Sequence, residues 1–254
     1  MTRPPILQAE DVTVEFDGFR ALNGLGFALE EGELRVVIGP NGAGKTTLLD
    51  VISGQVAPRT GRVLFKGRDI TGLRDHQISA LGIGRKFQTP SVFENLTLYE
   101  NLHLSWHERK SVLSTLHART SAATREQMYG ILEHIGLVEK AHQPAGFLSH
   151  GEKQWLEIGM VIVQDPDLLL IDEPVAGMTD DETEKTGQLL LSIAQDQTIL
   201  VIEHDMEFVK QIARKVTVLH EGSVLCEGSV EEVQRNPEVI QIYLGRERRA
   251  NAPA

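Results

Sequence analysis

Only one cysteine, Cys226, occurs in 254 residues, so no internal disulfide can form and no cluster of thiolates can hold a metal. A reducing compartment is the natural setting. No apolar run approaches the roughly 18–20 residues needed to cross a bilayer; the strongest runs, Leu168–Ile171 and Ile199–Ile202, fall far short. Met1 to Asp11 holds one arginine and two prolines but no apolar core, so no secretory signal is expected. Any link to a membrane must then run through a partner. Basic charge is scarce too, with 25 Lys and Arg against 36 Asp and Glu, a net −11. Binding to nucleic acid or to anionic lipid requires clustered Lys and Arg, so both are disfavoured, and no nucleic-acid partner is expected. What is present, 41% hydrophobic and 24% charged residues with 23 glycines, suffices for one soluble globular domain.

Alternation in Val12–Phe16 and near Phe27–Leu29 predicts half-buried antiparallel strands separated by turns at Asp17-Gly18 and Asn23-Gly24. Leu34–Ile38 reads as a buried strand that breaks into a glycine-rich loop and then a helix from about Lys45 to Ser53. Short strands follow at Arg62–Phe65 and Gly82–Gln88, then a more polar helical region from about Leu96 to Gly136. Helices near Gly151–Gln164, Asp180–Ala194 and Met206–Ala213 alternate with apolar strands at Leu168–Ile171 and Thr198–Ile202. Such alternation predicts an α/β fold with a mostly parallel sheet covered on both faces. Val216–His220 and Ser223–Cys226 flank Glu221-Gly222 as a hairpin.

Gly39-Pro40-Asn41-Gly42-Ala43-Gly44-Lys45-Thr46 fits G-x-x-x-x-G-K-[ST] and stands between a buried strand and a helix, the setting a P-loop requires. Glycines let backbone N–H groups turn inward around phosphate, the helix N-terminus adds positive potential, and Lys45 neutralises β- and γ-phosphate charge. The Thr46 hydroxyl can reach Mg²⁺. Leu168–Ile171 ends in Asp172-Glu173: the strand delivers Asp172 to the metal shell, and Glu173 can face an attacking water. Ser149 and Glu152 have capping-box spacing at the start of the 151–164 helix. His103 and His107, four apart, could in principle bind a metal, but no third ligand accompanies them. Phe16 and Phe19 are each open to a core or an exposed role, and Arg246, Arg248 and Arg249 form a short basic tail.

Four further pieces complete a pattern: Gln88 after a short strand, Leu148-Ser149-His150-Gly151-Glu152 before the acidic strand, Ala176-Gly177-Met178-Thr179 after it, and His204 at the end of the next strand. With the P-loop, in this order and over nearly the whole chain, they resemble the nucleotide-binding subunit of an ATP-binding cassette (ABC) transporter. The resemblance implies a P-loop NTPase (RecA-like) core with an antiparallel β subdomain and an α-helical subdomain. The core would cover 6–87 and 164–228, the helical part 88–163 and C-terminal helices with a tail 229–254. It implies Gly39 to Thr47, including Thr47 itself, as the Walker A loop, Asp172 as the Walker B aspartate and Glu173 as the catalytic carboxylate. Gln88 becomes the Q-loop glutamine and a metal ligand with Thr46 and Asp172, His204 the switch histidine, and Phe16 the aromatic that stacks on adenine.

Ser149, His150, Gly151 and Glu152 occupy the signature loop, which in this family contacts ATP held by a second subunit, so that two nucleotides are sandwiched head to tail. His150 and Glu152 depart from the usual L-S-G-G-Q, which bears on signature-loop affinity rather than on the fold, and Ala176–Thr179 departs from the common S-A-L-D. ATP and Mg²⁺ are the implied cofactors. The implied partners are a second ATP-binding subunit, identical or not, transmembrane permeases and, indirectly, an extracytoplasmic solute-binding protein. The implied location is peripheral, on the cytoplasmic face of a bacterial inner membrane.

Phe93–Leu102 and Glu173–Met178 resemble the ATPases of branched-chain amino acid importers, and Leu148–Met160 more narrowly resembles an ATPase subunit of bacterial urea importers. Urea is therefore the expected solute and branched-chain amino acids the alternative. A non-transport ABC ATPase is countered by the single cassette and by the lack of a long coiled-coil insertion between Thr46 and Leu148. A small-molecule P-loop kinase is countered by the signature loop and His204.

Overall fold

The structure is a computed structural model that describes residues 5–86, 91–106 and 122–242. Ten strands and eight α-helices are formed among these residues. β1 (Leu7–Phe16) and β2 (Phe19–Leu29) pair antiparallel across Asp17 and Gly18, whose φ angles of 48° and 84° suit a tight hairpin turn. β4 (Thr60–Phe65) joins the other edge of β1, and the two-residue β5 (Arg68–Asp69) closes a four-stranded sheet in the order β2-β1-β4-β5. The sequence places a second turn at Asn23-Gly24; instead these residues lie within β2. The Asn23 N–H donates to Gly222 O, and the Ser223 hydroxyl to Asn23 O. That distant anchor converts a turn signal into an irregularity of the strand, where the β1–β2 register shifts.

The second sheet runs β10-β9-β3-β8-β7-β6, with β3 (Leu34–Ile38), β6 (Ile83–Lys86), β7 (Leu168–Asp172), β8 (Thr198–Ile202) and β9 (Lys215–His220) mutually parallel. β10 (Ser223–Gly228) returns antiparallel to β9 as the expected hairpin. All five residues of β3, β7 and β8 are buried, which is why these strands read as continuous apolar runs rather than alternating ones. Each fully buried aliphatic side chain contributes about 1.5–3 kcal/mol of transfer free energy, so these strands form the rigid platform of the molecule.

α1 (Lys45–Ile52) follows β3, the short α2 (Asp75–Ser79) precedes β6, and α3 (Leu98–Ser105), α4 (Ala122–His134) and α5 (His150–Ile162) pack on one another. α6 (Asp180–Ile193), α7 (Met206–Ile212) and α8 (Val230–Arg235) complete the helices. Two apolar clusters result: one joins α3–α7 to the sheet, and the other fills the space between α1, the antiparallel sheet and the opposite sheet face. Thr97, Ser149, Thr179 and Ser229 each cap the helix that follows them through a reciprocal box with a glutamate. No described helix is long and apolar enough to cross a membrane. Gln88, His107 and the three C-terminal arginines lie outside the described residues.

Candidate active site

The strand order β3-β8-β7 brings the residues after three parallel strands to one edge of the sheet. Backbone pairing fixes their alignment: the Glu203 N–H donates to Val37 O, and the Glu173 N–H to Ile202 O. The loop after β3 wraps tightly. Gly44 has φ 100°, and a Cβ there would sit 2.5 Å from Ala21 O and 2.8 Å from a Leu22 methyl. Only glycine fits, and the same contact shows that the β1–β2 hairpin end abuts the loop. No side chain caps α1 at Gly44, leaving its N-terminus suited to an anion. Lys45 is buried and turns back on its loop, its ammonium donating to Gly39 O at 2.7 Å and Pro40 O at 3.3 Å. A phosphate entering the loop would compete with neutral carbonyls for that charge. Thr46 is exposed beside it.

Asp172 closes β7 with its side chain almost wholly buried. Burial pushes its carboxyl above the ordinary range, Arg85 opposes that rise, and Glu173 and Asp50 add to it. Arg85 lies 4.0 Å from Asp172 Oδ2 and is itself held by Asp50 at 2.8 Å and by the Ser53 hydroxyl at 2.7 Å. A carboxylate that burial disfavours, in front of a phosphate cradle, fits a cation brought in with nucleotide. Among the described residues no group of three or more His, Cys, Asp or Glu could hold a metal alone. One carboxylate and one hydroxyl is the sparse donor set of a Mg²⁺ that keeps phosphate and water ligands.

In the folded chain Asp172 holds its proton to a higher pH than its ordinary 3.8, so its contribution to stability is full below that value and is lost as pH rises through the raised one. The nucleotide-free Asp172→Asn protein should therefore gain thermal stability over wild type as pH rises through this window. Melting curves taken at acid and neutral pH check it, and a constant difference between the two proteins would oppose it.

Glu173 has φ 44°, a left-handed conformation that costs a non-glycine residue of order 1 kcal/mol. It brings Oε1 within 3.4 Å of His204 Nδ1. His204 is in turn aimed by Glu203, a buried residue whose Oε2 accepts the N–H groups of His204 at 2.7 Å and Asp205 at 3.2 Å. Burial raises the Glu203 carboxyl despite these bonds. Asp205 then caps α7 through the N–H groups of Glu207 and Phe208. A cleft of about 520 Å³ opens beside His204, between the 175–180 loop and α7.

Phe16 and Phe19 pair across the hairpin turn and are 46% and 61% exposed, so neither takes a core role. Ser149 caps α5 as its spacing predicts: its hydroxyl accepts the Glu152 N–H at 3.2 Å, and Glu152 accepts the Ser149 N–H at 3.1 Å. Lys140 also pairs with Glu152. The His150 Nε2 lies 3.1 Å from Ala176 O, so that nitrogen carries a proton and donates. His103 stacks on Tyr99 and tilts against Trp106, while its i+4 neighbour His107 lies outside the described residues.

Arg85, Lys86 and Glu203 escape a reading by motif. Lys86, wholly buried, has its ammonium 3.7 Å from Glu157 of α5, and burial lowers its pKa. The available signal is two consecutive bases, Arg85 and Lys86, in a short strand otherwise fit for burial, since buried charge demands partners.

Residues 22–176 match the family model described as ABC transporter, and residues 223–249 match one described as branched-chain amino acid ATP-binding cassette transporter. The high-affinity branched-chain amino acid transport ATP-binding protein LivG of Salmonella typhimurium is 36% identical over 250 residues, covering 95% of this chain and 98% of that protein. BraF of Pseudomonas aeruginosa, which carries the same description, is 35% identical over 251 residues with the same coverage. Among solved structures, the ADP conformation of an ATP-binding cassette of an ABC transporter superposes with a TM-score of 0.84 at 30% identity, covering 96% of this chain and 100% of that one.

Proposed function

This chain belongs to the ABC transporter family and is an ATP-hydrolysing enzyme, and on that premise we propose that it is the peripheral ATPase subunit of an importer of the branched-chain amino acid group. The observation that carries the site assignment is the convergence at one sheet edge of the Lys45 loop, Asp172, Glu173 and His204, with Glu173 and His204 3.4 Å apart. Backbone N–H groups of Gly42 to Thr47 and the Lys45 ammonium bind the β- and γ-phosphates, and Phe16, exposed at the β1–β2 turn, stacks on adenine. Thr46, Asp172 and Gln88 would hold a Mg²⁺ brought in with nucleotide, which would supply positive charge against the phosphates. Glu173 orients or deprotonates the attacking water, and His204 steadies that water and the γ-phosphate.

Ser149 to Glu152, at the exposed N-terminus of α5, meet nucleotide bound by a second subunit, so ATP closes a head-to-tail dimer and hydrolysis opens it. Permeases dock on the helical region that includes α3, where Phe93 and Leu104 are exposed. The subunit thus works on the cytoplasmic face of the membrane, fed indirectly by an extracytoplasmic solute-binding protein.

For the solute, kinship supports branched-chain amino acids, since LivG and BraF are named for them. The expectation of urea rests on the segment Leu148–Met160 alone. The chain, its second ATPase and the permeases should be co-purified, reconstituted with the solute-binding protein and assayed for ATPase stimulation. Leucine should stimulate and urea should not. Stimulation by urea alone would move the assignment to the urea branch, and stimulation by neither would overturn the importer reading.

A further inference from the structure

Glu182 sits at the third position of α6 and serves two elements at once. Its Oε2 accepts the N–H and the hydroxyl of Thr179, both at 3.1 Å, closing the capping box of α6. Its Oε1 accepts the Ser149 hydroxyl at 3.0 Å, 33 residues away in sequence. The same side chain fills the space beside Gly151, where a Cβ would come within 2.6 Å of the Glu182 carboxyl. Two further bonds tie α5 to the loop before α6 and to α6 itself. His150 donates to Ala176 O at 3.1 Å, and the Trp155 indole N–H donates to Thr186 of α6 at 2.8 Å. The start of α5 is thus latched to α6 and to the loop after the acidic strand within one subunit. The bonds to Thr179 and Ser149 hold the Glu182 carboxyl below its ordinary range, so it carries full negative charge at neutral pH.

We propose that Glu182 is a positioning residue that restrains the signature loop within the single subunit, and that closure on ATP requires Ser149 to exchange this carboxylate for the γ-phosphate held by the opposite subunit. The inference rests on the sandwich reading of the site above. A single hydroxyl proton cannot serve both acceptors at full strength, and a carboxylate in contact with the Ser149 oxygen repels the incoming phosphate. The latch therefore opposes premature closure and returns the loop to its resting place after phosphate leaves.

The test is the ATP-dependent self-association of the full chain by sedimentation, in a Glu173→Gln background that holds nucleotide. Glu182→Gln keeps an oxygen for the Thr179 N–H, turns its amide NH₂ toward the Ser149 oxygen in place of Oε1, and removes the charge. Association in MgATP should tighten by about tenfold, the size expected for removing one like charge near a phosphate at a partly solvated interface. In the Glu173 parent the KM for ATP should fall. Loss of a merely structural cap would act in the opposite direction, weakening association and lowering the melting temperature. Glu182→Met, which retains length against Gly151, is a second route to the same charge removal should the Gln variant fold poorly. Unchanged or weaker association in folded variants would overturn the latch. Failure of the Glu173→Gln parent itself to associate in ATP would instead overturn the sandwich reading and the latch with it.

Discussion

Glu173→Gln is expected to lower the rate of ATP turnover by about 10²–10⁴-fold, the range that a positioned general base supplies, while leaving ATP affinity within about twofold. The expectation comes from placement. Glu173 follows a fully buried strand, its backbone is held at φ 44° by the bond from its N–H to Ile202 O, and its carboxylate faces His204. Gln preserves the size and the hydrogen-bonding reach of the side chain but cannot take a proton from water. Strain at this residue is tolerable because β7 leads directly into it and its N–H is bonded to Ile202 O of β8, so the substitution should not unfold the chain. Single-turnover hydrolysis and nucleotide-binding titrations separate the two quantities. Near-normal turnover would remove Glu173 from the chemistry.

Lys45→Ala should act on the other quantity. A charge-assisted bond to phosphate is worth about 1.5–3 kcal/mol, so affinity for ATP should fall by roughly 10–100-fold. The Lys45 ammonium donates to Gly39 O and Pro40 O, and those two carbonyls lose a donor in the variant. Loop distortion adds to the loss of charge, so Lys45→Arg is the informative companion: it restores charge but cannot restore the compact fit at a residue this buried. Calorimetric titration with ATP measures the effect, and unchanged affinity in Lys45→Ala would remove the P-loop from nucleotide binding.

How much of this could be read from the chain alone depended on how far apart the interacting residues stand. The P-loop is eight consecutive residues between a buried strand and a helix, so its chemistry and context appear together. The same holds for Leu168–Glu173 and for the capping box of Ser149 and Glu152, whose spacing is set by one helical turn. Asn23-Gly24 misled because a dipeptide shows turn preference but not the partner that overrides it, here Gly222 and Ser223 about 200 residues away. β5 and α2 were too short to leave a periodic trace. Arg85 behind Asp172, Lys86 against Glu157 and Glu182 against Ser149 are tertiary pairings between residues 33 to 87 positions apart, and no local pattern encodes them. The exposure of Phe16 and Phe19 likewise follows from their place at the tip of a hairpin, which alternation within a strand cannot distinguish from its buried middle.

On the sandwich reading proposed above, one subunit holds half of each catalytic site. A structure of the Glu173→Gln chain with ATP and Mg²⁺ tests it most directly. It should contain two nucleotides between two subunits, each with its phosphates in the Gly39–Thr47 loop of one and its γ-phosphate touching Ser149 of the other. A nucleotide bound away from Lys45, or one bound in that loop of a monomer that cannot close on a second Ser149, would contradict it.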